Sequence, residues 1–422
     1  MSLRKSSVAA AGLLLALGGA VTAQSLFVTS AQAAAVGGVP AVFRPSEIGR
    51  LDVGQAGTLR HALRAESFDV LVGDADQDGH YADAPAAIDA LAVPSGPVGN
   101  DVFGLLMSFT TSTAFADGTT VLDGDVVALQ PNGGVLVAYS ESLFQGITGT
   151  TTIDVDAFHV LPDGSLLFSF DADETTASAA LAAQNGGVAL IDETVVFRYI
   201  PGAAEATIHF TRQQMLGFVN NALGTSLTSI VDTVGLADDP TAPGAILFTT
   251  ASTAATLEGK VFTTNGGGQV ATFGGLPLDH SAFGFDQAQI LGGLAVNFGS
   301  APKLDLVPAS PYTAGGATDA VYVVDGATPG QAIVLGAAAS HYPAPATSWF
   351  GTLGTYGYVW LDVDDAFLSV SLGHPAFTSV AGPAGRAVFT FPMANVPTGI
   401  RVTLQAFDLA GTQSSLPLAV EI

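Results

Sequence analysis

The sequence contains no cysteine, which removes disulfides, thiol nucleophiles and thiolate metal sites together. Cationic side chains are almost as scarce: 12 Lys and Arg stand against 37 Asp and Glu in 422 residues, a net charge of −25. Binding to a nucleic-acid backbone needs clustered Lys and Arg, and none are clustered here, so nucleic acid is excluded as a partner. Catalytic signatures are missing as well. There is no G-x-S-x-G elbow, no H-E-x-x-H, no P-loop and no dinucleotide fingerprint. The seven histidines never fall at metal-ligand spacing. After the first thirty-odd residues no stretch reaches the roughly 18 apolar residues of a membrane-spanning helix.

The chain begins with an export signal. Arg4 and Lys5 supply its positive end, "VAAAGLLLALGGAV" its apolar run, and small residues follow. Cleavage after Ala23 ("VTA") and after Ala33 ("AQA") both fit. Loss of Arg4 and Lys5 takes the cations from 12 to 10 against 37 acids, a net charge near −27. The reading is an exported protein (extracellular, cell-surface or periplasmic), whose length lets it bury a core without disulfide staples.

Fifty glycines and 22 prolines punctuate short runs of Val, Phe, Leu and Thr, the all-β signature. Four segments share one pattern: "IDALAV" (88–93), "VDAFHV" (155–160), "VDTVGL" (231–236) and "FDQAQI" (285–290). Each carries an aspartate after an apolar residue: Asp89, Asp156, Asp232 and Asp286. A second run follows each ("GLLMSF", "SLLFSF", "AILFTT", "GLAVNF"), and two further families of runs, such as "GDVVAL" (124–129) and "VLVAYS" (135–140), precede each pair and complete sets of four. Repeated four-stranded sheets predict a small β-propeller of four blades, or five if residues 40–65 add strands; a stack of sandwiches is the competing arrangement. The repeated aspartates are expected to accept backbone N–H bonds at blade turns, with a shared ligand site on the axis as the alternative. The predicted organisation is a signal peptide over 1–33, a propeller-like repeat domain over 34–300 and a C-terminal β-sandwich over 301–422.

Residues 74–83, "DADQDGHYAD", concentrate four aspartates. Asp74, Asp76 and Asp78 alternate and Gly79 follows, the front half of a calcium loop. The His80 carbonyl and Asp83 extend the oxygen set, with Asp89 as a further candidate. Position 12 is Pro85 rather than Glu and no helices flank the loop, so it departs from an EF-hand. A structural Ca²⁺ is expected there; a solvated acidic hairpin tip is the bland alternative. Asp154 and Asp156 in "TIDVDAF" would share a strand face and suit acid/base chemistry, and "LDVDDA" (361–366) is a further acidic turn. His159 and His209 read as packed or surface residues, and Trp349 and Trp360 as core anchors.

The stretch "GRAVFTFPMAN", leading into "GIRVTLQA" and a closing strand, resembles a C-terminal module of uncharacterised bacterial exported proteins. There the pattern is G-x-A-x-x-x-F-P-x-P-N followed by G-x-x-x-x-x-Q-A; Ala394 stands here where the second proline is expected. "DVDAFHVLPDGSLLFSF" is similar to repeats in the same proteins. The resemblance implies export and β architecture and carries no activity. Three functions follow: a non-catalytic exported binding or cell-surface protein with a structural calcium loop, its partner an extracellular glycan or protein; a propeller hydrolase or lyase acting on extracellular polysaccharide; or a calcium-dependent structural component of a surface layer.

Overall fold

The computed structural model describes residues 25–35, 42–52, 59–64, 87–94, 104–115, 119–129, 135–251, 257, 259–285, 291–297, 304–310, 319–339, 341–346, 359–361, 364–393, 400–408, 410, 413–415 and 417–421. It is mostly strand, and every ladder between strands is antiparallel.

Sixteen strands form four four-stranded sheets. Sheet II runs β4 (Ile88–Ala92), β5 (Leu106–Phe109), β6 (Val126–Leu129) and β7 (Val135–Tyr139). Sheet III runs β8 (Val155–Val160), β9 (Leu166–Phe170), β10 (Val196–Tyr199) and β11 (Thr207–Phe210). Sheet IV runs β12 (Gly235–Asp238), β13 (Ile246–Thr249), β14 (Phe262–Thr263) and β15 (Gln269–Val270). Sheet I joins the two ends of this region. Its leading strand is β16 (Leu291–Asn297), paired with β1 (Ser25–Ser30), then β2 (Ile48–Asp52) and β3 (Arg60–Leu63).

The sequence pattern located most of these strands but grouped them two strands out of phase. Sheets II, III and IV each join one Asp-type segment to the three strands after it. The run at 291–297 is a leading strand, and the second-strand position in sheet I belongs to "SLFVTS" at 25–30, whose apolar residues follow closely on the apolar run at 8–21. The repeat region therefore starts by Ser25, ahead of the expected boundary at residue 34. Residues 40–65 supply β2 and β3 of sheet I rather than a sheet of their own.

Both faces of the inner strands of these sheets are buried, so those strands read as near-continuous apolar runs instead of alternating ones. Successive side chains point to opposite faces, and each face enters a different core. Leu26 and Val28 pack with Ala237 and Leu247 of sheet IV, while Phe27 packs with Met107 and Val127 of sheet II. Leu106 and Val126 meet Phe158 and Phe168 between sheets II and III. Leu167 and Val196 meet Leu236 and Phe248 between sheets III and IV. The four cores thus follow one another cyclically, I to II to III to IV and back to I.

The leading strands β4, β8, β12 and β16 pack against one another at the centre. Glycine makes this possible. A Cβ on Gly293 would lie 2.6 Å from Asp89 O and Leu91 N, and one on Gly235 would lie 2.6 Å from Gly292 O. Such contacts fall far inside van der Waals separation, so the sheets meet backbone to backbone. Backbone polar groups brought together this way need partners, and the second strands provide them. Ser108 Oγ accepts from Ala90 N and donates to Val155 O of the next sheet (both 3.0 Å). Ser169 Oγ donates to Thr233 O (2.5 Å) and Thr249 Oγ1 to Gly292 O (3.2 Å), while Thr29 Oγ1 accepts from Gly293 N (2.8 Å). All four hydroxyl residues are buried.

Helices absent from the sequence reading occupy connections. The helix α1 (Glu141–Thr148) is capped by Ser140, α2 (Ala179–Gln184) by Ser178, and α3 (Arg212–Leu223) by a reciprocal Thr211–Gln214 capping box. No helix among the described residues is long and apolar enough to cross a membrane.

The C-terminal strands alternate buried and open positions, as sheets with one wet face do. A three-stranded sheet orders β17 (Asp305–Ser310), β18 (Ala320–Asp325) and β21 (Ala387–Phe391). A five-stranded sheet centres on β19 (Ala332–Ala338) and β22 (Arg401–Asp408), flanked by β20 (Thr378–Val380), β23 (Gln413–Ser414) and β24 (Leu418–Glu421). One core holds Tyr322, Val324 and Phe389 from the first together with Ile333, Leu335 and Leu404 from the second.

Candidate functional site

The crowding of the leading strands gathers acidic side chains at one end of the central line. Asp89 lies on β4, Asp154 and Asp156 at the entrance to β8, Asp171 directly after β9, and Asp232 three residues ahead of β12. Carboxylate oxygens of Asp156, Asp171 and Asp232 lie within 4.8 Å of one another. Asp156 and Asp232 are buried, and Asp171 is exposed at the rim.

Local structure fixes these positions. The Ser108 bond to Val155 O holds the residue flanked by Asp154 and Asp156, and the Ser169 bond to Thr233 O holds the neighbour of Asp232. A register shift between Val155 and Ala157 opens the ladder at Asp156. Asp171 N donates to Asp154 O (3.2 Å). Asp232 has φ 44°, the sole positive φ among the described non-glycine residues, and Thr233 N donates to its Oδ1 (2.6 Å). A left-handed aspartate costs conformational energy that its surroundings must hold in place. Glu193, in the turn before β10, accepts from the Asp232 backbone.

The electrostatics are one-sided. Burial, then the charges of Asp156 and Asp154, push Asp89 up from 3.8 to about 9. Burial, then Asp171 and Asp123, push Asp154 up to about 8. Burial raises both Asp156 and Asp232. The Asp156 charge adds to the rise in Asp232, while the hydrogen bond between the two carboxyls holds Asp156 the lower of the pair. No Arg, Lys or His is among the groups acting on these carboxyls. Asp89 Oδ2, Asp154 Oδ1 and Asp156 Oδ2 are buried without a hydrogen-bond partner. A buried polar atom left this way costs about 1–3 kcal/mol.

Chemically, the site is an all-oxygen, acceptor-only constellation. Ligand oxygens of one Ca²⁺ sit about 2.3–2.6 Å from the ion and so within roughly 5 Å of one another, a spacing that Asp156, Asp171 and Asp232 meet. The expectation that the repeat aspartates serve as turn caps fits Asp232, whose Oδ1 accepts from Thr233 N, and leaves Asp156 Oδ2 without a backbone donor. The alternative, convergence on the axis, describes Asp89, Asp156 and Asp232; Asp286 lies outside the described residues. Asp171 and Glu193 escaped sequence reading because their homologous positions in other repeats are not acidic: "SFDAD" aligns with "SFTTS" and "TTAST", and "ETVVFR" with "GDVVAL" and "GKVFTT".

The other candidates fall elsewhere. Asp74, Asp76, Asp78, His80 and Asp83 all lie outside the described residues, as does Trp349. The turn at 361–366 serves a helix: Asp365 caps α4 (Ala366–Gly373), accepting from Phe367 N (2.7 Å) and Ala339 N (3.0 Å). His159 is buried between sheets III and IV with Nε2 3.3 Å from Asp238 Oδ1. His209 is half-buried against Phe210, and burial lowers its pKa.

No protein-family profile matches the chain, and no curated protein matches it. Among solved structures, the chain is similar to a gluconolactonase from Xanthomonas campestris at 12% identity and TM-score 0.22, covering 58% of this chain and 64% of that one. It is also similar to an extracellular domain from B. thetaiotaomicron, described as part of a hybrid two-component system, at 10% identity and TM-score 0.25. That likeness covers 94% of this chain and 52% of the other. The chain therefore spans under two thirds of either. At these TM-scores no residue of one protein can be set upon a residue of another, and the site is read from its own geometry.

Proposed function

We propose that the chain is an exported, non-catalytic binding protein that takes an extracellular partner, glycan or protein, at the acidic end of its central axis. In this reading sheets I–IV are the blades of a four-bladed β-propeller, closed by pairing β16 with β1. The C-terminal sheets are the two layers of a β-sandwich that attaches or presents the propeller. The cyclic order of the four cores supports the blade count, and the shared core of the C-terminal sheets supports the sandwich. The aspartate-rich loop at 74–83 holds a structural Ca²⁺ through Asp74, Asp76, Asp78, the His80 carbonyl and Asp83. Export removes residues 1–23, since cleavage after Ala33 would delete β1.

The single observation carrying the binding reading is the convergence of five carboxyl groups, from three sheets, with no basic group among the described residues acting on them. A catalytic pocket for a polysaccharide calls for an acid and a base of separated pKa. The raised carboxyls of Asp89 and Asp154 beside Asp156 favour that second reading, a hydrolase or lyase. The lack of any Arg or His acting on the cluster weighs against it.

A glycan and peptide binding screen on the mature protein, run with wild type and with Asp171→Asn, tests the proposal. Asp171 is exposed, so the substitution leaves the fold intact. Ligands that wild type retains and Asp171→Asn loses support the axial mouth as the binding site. Ligands held equally by both place binding elsewhere. Turnover of a polysaccharide that stops in Asp154→Asn decides for the hydrolase.

A further inference from the structure

We infer that the axial cluster is itself a divalent-cation site, separate from the loop at 74–83, with Asp156, Asp171 and Asp232 as direct ligands and Asp89 and Asp154 as flanking charge. This deepens the binding reading and rests on it only for the location of the mouth. Acidic residues gather on many surfaces without an ion, so proximity alone decides nothing. The deciding feature is Asp156. It is 7% exposed, its Oδ2 is buried with no hydrogen-bond partner, and one of its carboxylate oxygens lies within 4.8 Å of oxygens of Asp171 and Asp232. A carboxylate is acceptor-only when ionised, so a buried carboxylate with an unpartnered oxygen beside two further carboxylates lacks one thing, a cation.

The backbone is consistent with that assignment. Asp232 holds φ 44°, and a carboxylate oxygen of it lies within 4.8 Å of one of Asp156 on β8. The donor set selects the class of ion. All donors are carboxylate oxygens, with neither His nor Cys among them, which suits a hard cation of the Ca²⁺ type rather than Zn²⁺. Three aspartates supply at most six oxygens. The exposure of Asp171 leaves the rim side open, so the remaining positions face solvent and are available to a hydroxyl or carboxylate of a bound partner.

The test is calorimetric titration of the chelator-stripped mature chain with CaCl₂, read alongside thermal unfolding. Two cation sites are then in play, and the double variant Asp76→Asn/Asp78→Asn removes the loop. That variant is expected to keep one binding event and to unfold at higher temperature with CaCl₂ than with chelator. Adding Asp171→Asn should weaken the remaining event at least tenfold and abolish the thermal shift. Its melting temperature in chelator should equal or exceed that of its parent, which shows that it is folded. Asp156→Asn should behave alike. The inference is overturned if the loop variant binds no Ca²⁺, or if neither substitution changes the remaining affinity. In that case Asp171-dependent retention in the ligand screen would still stand, so failure of the cation site and failure of the binding mouth are distinguishable.

Discussion

Replacing Asp89 by Asn should stabilise the cation-free protein, the reverse of what substitution at a buried hydrogen-bonded residue does. With its pKa pushed up to about 9, Asp89 is protonated in the folded chain at pH 7 but ionised when unfolded at 3.8. Folding at pH 7 must therefore load a proton onto a group whose unfolded pKa lies 3.2 below the pH. At 1.36 kcal/mol per pH unit that costs about 4 kcal/mol, a figure that depends only on the folded pKa exceeding 7. The amide has the carboxyl's shape and needs no proton. It also brings two N–H donors among acceptor oxygens that have no donors, and a donor that misses its acceptor returns about 1–3 kcal/mol of the gain. A net stabilisation of about 1–4 kcal/mol follows, roughly 2–15 °C in melting temperature for a domain of this size.

The pH dependence carries the same sign. A carboxyl whose folded pKa is raised leaves the folded state holding more protons than the unfolded state, so stability falls as pH rises. For Asp89 the window runs from about 4 to about 9, and for Asp154 from about 4 to about 8. Wild type in chelator should lose melting temperature steadily from pH 5 to pH 8, and Asp89→Asn should lose less. Scanning calorimetry at four pH values in chelator measures both. The reasoning fails if Asp89→Asn melts below wild type at pH 7, or if wild-type stability rises with pH across that interval.

Three further outcomes are expected. Gly293→Ala should destabilise the chain by about 1–3 kcal/mol, because its methyl would meet the Asp89 carbonyl and Leu91 amide of β4 at 2.6 Å; a denaturant midpoint unchanged from wild type would contradict the close approach. Ser169→Ala should cost about 1–3 kcal/mol by leaving Thr233 O without its donor, and Ser169→Thr should restore much of it in the same denaturant titration. Intact mass of the exported chain should begin at Gln24. A chain made to start at residue 34 should lose cooperative unfolding, because Leu26 and Val28 leave one core and Phe27 another.

The strands were legible wherever both faces are buried. "SLLFSF" and "AILFTT" are apolar throughout because each alternate side chain enters a different core, and such runs stand out between glycine turns. Their grouping was not legible, because a cyclic order of repeats looks the same from any starting strand until the closing pair is known. That pair is β1 with β16, and β1 follows closely on the apolar run at 8–21. Helix α3 carried a readable start in Thr211-x-x-Gln214, yet its face is thin: Met215 and Val219 are its buried residues, too few for a periodic signal to dominate. The axial cluster was half legible. Asp89, Asp156 and Asp232 were singled out by their repeat, but their meeting depends on strands 67 and 76 residues apart, a contact that no local pattern encodes.

One packing requirement accounts for both the centre of the fold and its site. Four leading strands can share a line only if their facing residues are small, which Ala90, Ala157, Gly235, Ala237, Gly292 and Gly293 satisfy. Small residues bring neighbouring backbones together, and buried backbone groups must then be bonded from outside the line, which the hydroxyls of Thr29, Ser108, Ser169 and Thr249 do. Each hydroxyl bond between sheets fixes the start of a leading strand at a set distance from its neighbour. Where those starts carry aspartate, in sheets II, III and IV, the carboxylates have nowhere to separate to, and their repulsion is held in place by apolar cores on every side. Sheet I places Gly292 and Gly293 at the corresponding end of β16. Among the described residues the acids come from those three sheets, with Asp171 exposed at the rim. Charge held together against its own repulsion, beside an opening, is the condition under which a cation binds most strongly for the least rearrangement.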